Sequence, residues 1–75
     1  MNVFKNANGH QQFMIEGTAD GLPNEMREWL DENVGLHYGS WEVDVYTYTS
    51  SRNFAIWYVI LYNDEDAAAF KLKFS

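Results

Sequence analysis

The sequence predicts an α+β domain: a three-stranded antiparallel sheet with two helices on one of its faces. Three observations lead there. One segment carries apolar residues at helical spacing between a proline and a glycine. A second alternates apolar and polar residues with period two, and a third is a short run apolar on both faces, as a central strand must be.

The elements follow in chain order. Residues 1–10, "MNVFKNANGH", read as an extended arm or as a first short strand that turns at Asn8-Gly9. "QQFMIEGT" (11–18) puts Phe13 and Ile15 on one side and Met14 and Glu16 on the other, which is a strand pattern. "ADG" breaks it. "LPNEMREWLDENVG" (22–35) is a helix, with Pro23 suited to its first turn and Gly35 placed to stop it. Leu22, Met26, Trp29, Leu30 and Val34 share one face, while Glu25, Glu28, Asp31 and Glu32 share the other. "WEVDVYTYT" (41–49) alternates again, "SSRN" (50–53) has hairpin length, and "FAIWYVILY" (54–62) is the central strand. In "NDEDAAAFKLKFS" (63–75), Asn63 or Asp64 can cap a helix whose inner face is Ala67, Phe70 and Phe74, with Ala68 and Leu72 beside them. The alternation of Phe70, Leu72 and Phe74 also allows a final strand, but the alanine triplet favours helix. The resulting β-α-β-β-α order, with the strands arranged 1-3-2, is a truncated ferredoxin-like plan.

Composition narrows the function. A chain of 75 residues is one domain with a marginal core, and its 17% aromatic content is first a stability device. Without cysteine there is neither a disulfide framework nor a thiolate metal site, which fits a reducing cytoplasm. The first residues lack the basic-then-apolar pattern of a signal peptide, and "FAIWYVILY" is too short to span a bilayer as a helix. A net charge of −6 argues against nucleic-acid partners and for basic protein surfaces.

Residues 41–63 hold four of the five tyrosines, more than a small core needs. With Trp41, Val43 and Val45 facing the helices, Glu42, Asp44, Tyr46 and Tyr48 point outward. On the central strand, Phe54, Ile56, Tyr58, Ile60 and Tyr62 are expected outward, with Ala55, Trp57, Val59 and Leu61 in the core. The expected partner-binding residues are therefore Glu42, Asp44, Tyr46, Tyr48, Tyr58 and Tyr62, on an apolar strip edged by carboxylates. The acidic helix face of Glu25, Glu28, Asp31 and Glu32 is a secondary surface. An N-terminal arm could instead cover the strip, or a symmetric dimer could bury it.

Catalytic chemistry finds little footing. Glu42 and Asp44 lie roughly 7 Å apart along one strand face, a spacing that resembles an acid–base pair, but strands with alternating acids are common. His37 could join one of them at a metal, yet no ligand spacing follows a known motif. The glycines make no phosphate-cradling loop, and no serine sits in a nucleophile elbow. The expectation is a protein that is not an enzyme and holds no cofactor or metal. An open aromatic sheet invites comparison with RNA-recognition domains, but the basic-aromatic signature is absent.

The "WEVD" strand, the aromatic strand and the closing "NDEDAAAFKLKF" together resemble small uncharacterised proteins of tailed bacteriophages. Asp66, Ala67, Phe70, Lys71 and Leu72 match a terminal D-A-x-x-F-K-L helix, and "GLPNEMREWL" adds a generic helix start. The resemblance implies an accessory protein of the host cytoplasm, plausible as an inhibitor of a host or defence protein. The alternative is a structural homo-oligomer that buries the same sheet face.

Overall fold

The computed structural model describes residues 2–35, 40–48 and 54–74, with the side chain of Tyr48 excepted. Its elements are β1 (Asn2–Lys5), β2 (Gln11–Gly17), α1 (Asn24–Asn33), β3 (Trp41–Tyr48), β4 (Ala55–Leu61) and α2 (Asp64–Phe74). The α+β class and both helices are as the sequence predicts. The sheet is not: it has four antiparallel strands, not three, in the order β1-β2-β4-β3.

The added strand is the stretch for which an arm was the other reading. Its turn is built by Asn6, whose Oδ1 accepts the N–H groups of Asn8 and His10 at 3.0 Å each. Gly9 sits at φ 82°, a left-handed conformation that glycine adopts without penalty. With the chain reversed there, Val3 comes opposite Phe13 and packs against the core. A four-residue strand with one inward apolar side chain gives too little periodicity to be assigned from sequence. The other three strands keep the expected relation, with β4 between β2 and β3.

Both helices pack on one face. Phe13, Ile15, Trp41, Val59 and Leu61 from the sheet meet Leu30 of α1 and Ala67 and Phe70 of α2 in a single buried cluster. Phe70 links the layers, with its ring 4.9 Å from Phe13 and 5.8 Å from Trp29. Each buried valine, leucine, isoleucine or phenylalanine among them contributes about 1.5–3 kcal/mol by leaving water.

The helix ends follow local chemistry. Pro23 stands one residue outside α1, with ψ 138°, rather than inside its first turn. Gly35, at φ 114°, ends the helix and donates its N–H to the Leu30 carbonyl at 3.1 Å. At α2, the Asn63 Oδ1 accepts the Glu65 N–H at 2.7 Å, and acids at the start and lysines at the end suit the helix dipole. Residues 70–74 are helical, so Leu72 turns to solvent at 84% exposure instead of sharing a face with Phe70 and Phe74. Ala68 is likewise exposed, so neither residue joins the inner face. Among the described residues, no helix is long and apolar enough to cross a membrane.

Candidate functional site

The site is the sheet face turned away from the helices. Along β4, Ala55, Val59 and Leu61 are fully buried on the helix side, so Ile56, Tyr58 and Ile60 project the other way. Residues directly opposite in antiparallel strands share a face, so the register extends this set across the sheet. One row reads Asn2, Met14, Tyr58, Asp44, and the next reads Phe4, Gln12, Ile60, Glu42. Ile60 is only 8% exposed although it lies on this face, in the central strand between Gln12 and Glu42.

Of the residues expected to bind a partner, Glu42 and Tyr62 come together. The Tyr62 hydroxyl donates to Glu42 Oε2 at 2.5 Å, and the His10 ring lies against the Tyr62 ring, with centroids 4.8 Å apart and planes tilted by 41°. This end of the face is thus internally tied. Asp44 is exposed, and its Oδ1 accepts the backbone N–H of its neighbour Val45 at 2.8 Å. Tyr58 is half-buried in the middle of the face. Tyr46 sits in a β-bulge between Val45 and Thr47 and is 65% exposed. The bulge breaks the two-residue alternation, so the Tyr48 backbone pairs with Ala55; its side chain lies outside the described residues.

The far end of the face holds a feature absent from the sequence expectation. An open groove of about 620 Å³ is lined by Asn2, Phe4, Met14, Glu16, Tyr46 and Ile56. Met14 and Ile56 form its half-buried floor. Phe4, at 46% exposure, and Tyr46 stand at its sides. The alternation in residues 11–18 already set Met14 and Glu16 opposite the core pair, and the Asn8-Gly9 turn was the signal that could have brought Phe4 beside them. What hid the groove was the register, which no local pattern encodes.

The face is acidic. Glu16, Glu42 and Asp44 lie on it, whereas the described basic residues lie elsewhere. Lys5 follows Phe4 and so takes the helix-side alternation, Arg27 is on α1, and Lys71 and Lys73 are on α2. No hydrogen bond or ion pair among the described residues engages the Glu16 carboxylate. Glu25, Glu28, Asp31 and Glu32 are all exposed on α1, in the helical layer across the sheet from the groove. The two acidic surfaces are therefore separate.

Glu42 is bonded to Tyr62, and Asp44 is exposed. Among the described residues no three His, Asp or Glu side chains group to hold a metal, and the expected ligand candidate His37 lies outside them. No protein-family model, curated protein or solved structure matches this chain.

Proposed function

We propose that this chain is a non-enzymatic protein-binding factor that docks a partner on the open sheet face. The carrying observation is the groove: an apolar floor between two exposed aromatic rings, on a face whose charges are carboxylates. Exposed aromatics around a concave apolar surface are where binding energy concentrates, and a carboxylate rim selects a basic partner. Tyr46, Phe4 and Tyr58 form the apolar contact, with Asp44 and Glu16 at its edge. Glu42 and Tyr62 brace one another and hold that end of the face in shape.

The same charges weigh against a symmetric dimer. A two-fold axis through this face would set one acidic surface, with Glu16, Glu42 and Asp44, against an identical acidic surface with no described cation to answer it, and like charges brought together across an interface cost several kcal/mol. The resemblance to small phage proteins gives the role its setting: an inhibitor of a host or defence protein, acting in the host cytoplasm. We read the architecture as a ferredoxin-like plan with its last strand moved to the front. In support, β1 lies antiparallel on the outer edge of β2, beside the strand that opens the β-α-β-β-α unit.

Tagged wild-type protein and a Phe4→Ser/Tyr46→Ala variant, both verified as folded by circular dichroism, are used to capture proteins from bacterial lysate. The reading predicts a partner retained by the wild type and lost by the variant. It predicts only a modest loss when salt is raised, since screening removes long-range charge attraction but not apolar contact. A partner retained equally by both forms, or one released by salt alone, contradicts it.

A further inference from the structure

We infer that the groove seats an arginine side chain of the partner, presented by an apolar segment; this rests on the docking role proposed above. The groove has two kinds of lining. Met14 and Ile56 offer an apolar floor, and Phe4 and Tyr46 offer exposed rings. Glu16 adds an exposed carboxylate with no partner among the described residues, and Asn2 adds an amide. A purely apolar side chain would leave Glu16 partly dehydrated and unpaired, which is unfavourable. An acidic one would meet Glu16, Asp44 and Glu42 on a face where no described cation lies.

A basic side chain with a long apolar stem satisfies both linings. Its methylenes lie on Met14 and Ile56 while its charged end reaches Glu16. Arginine fits this lining better than lysine. The guanidinium is planar, stacks on aromatic faces and pairs with a carboxylate through two parallel hydrogen bonds, whereas an ammonium is a strongly hydrated point charge. A cation held against Phe and Tyr rings gains about 0.5–2 kcal/mol, more as water is excluded. Asn2 is part of the lining, and a side-chain amide oxygen there is an acceptor for the remaining N–H groups.

The test uses isotope-labelled full-length protein and three peptides: acetyl-Leu-Arg-Leu-amide, its lysine counterpart, and its citrulline counterpart, which keeps the length and loses the charge. Amide signals are followed by NMR during titration. The arginine peptide is expected to shift Phe4, Met14, Glu16, Tyr46 and Ile56 saturably, and about tenfold more tightly than either other peptide, the difference one charge-assisted hydrogen bond makes. Glu16→Gln, verified as folded by its amide spectrum, is expected to bring arginine down to the citrulline level. Equal binding of the three peptides overturns the inference, as do shifts centred on the α1 acids or no saturable shift at all. If the captured partner needs Phe4 and Tyr46 but binds Glu16→Gln as tightly as wild type, the arginine assignment fails and the docking role stands. If capture survives Phe4→Ser/Tyr46→Ala, both fail.

Discussion

Two residues carry structural consequences out of proportion to their size. Gly17 lies beneath Trp57, whose indole N–H donates to the Thr18 carbonyl at 2.7 Å. A Cβ at position 17 would stand 2.7 Å from the Gly21 carbonyl oxygen and 2.9 Å from Trp57 Cδ1. Neither is the far end of a flexible chain, so Gly17→Ala must shift the backbone or the indole. The expected loss is about 1–3 kcal/mol in urea unfolding, with a changed tryptophan fluorescence. Tyr62 is the second. Its hydroxyl bonds a half-buried carboxylate, and Tyr62→Phe removes the donor while keeping the ring on His10. A loss of about 1 kcal/mol is expected, seen as a fall of about 4–8 °C in melting temperature. At this scale the sequence was only partly readable. It placed Glu42 and Tyr62 on one face, but their bond spans twenty residues and depends on register, which no local pattern states.

Elements were more legible where periodicity runs long. The inner face of α1 is the one its spacing predicts, with Leu30 buried and Leu22, Met26, Trp29 and Val34 against the core. The alternation of β3 holds as far as Val45, then the bulge shifts it, and nothing in "VYTY" announces a bulge. β1 is the element that matters most to the site, because it carries Asn2 and Phe4 to the groove. Its hairpin hangs on the Asn6 side chain, which accepts two backbone N–H groups. Asn6→Ala is therefore expected to cost about 1 kcal/mol, and locally. Hydrogen exchange of the residue 2–5 amides should quicken about fivefold, while those of Val59 and Leu61 stay protected. Equal acceleration throughout would mean that β1 is integral to the global unfolding unit.

For the molecule as a whole, one buried aromatic joins the sheet and both helices. Phe70 is fully buried and contacts Phe13 in the sheet and Trp29 in α1. Phe70→Ala removes about 3–5 kcal/mol, a large share of what a domain of this size holds, and is expected to leave the chain largely unfolded at 37 °C by circular dichroism. The helices occupy one side of the sheet and the surplus aromatics stand on the other. That division was readable from the sequence because Ala55, Val59 and Leu61 alternate as core positions along β4, although Trp57, expected in the core with them, is only half-buried and lies outside the core cluster. The groove was not readable, because it forms only when an N-terminal hairpin and a bulge in a distant strand meet at one end of the sheet.

Docking on the open sheet face is tested by calorimetric titration of the captured partner against three folded forms: wild type, Phe4→Ser/Tyr46→Ala, and Glu28→Gln/Asp31→Asn. A docking surface on the open sheet face predicts that the first variant loses at least about a hundredfold in affinity, as removal of two aromatic anchors should. The α1 variant should bind within about threefold of wild type, since exposed charges outside an interface contribute little. The reverse pattern, with the α1 acids essential and the rings dispensable, would contradict the account and make the helical layer the binding surface.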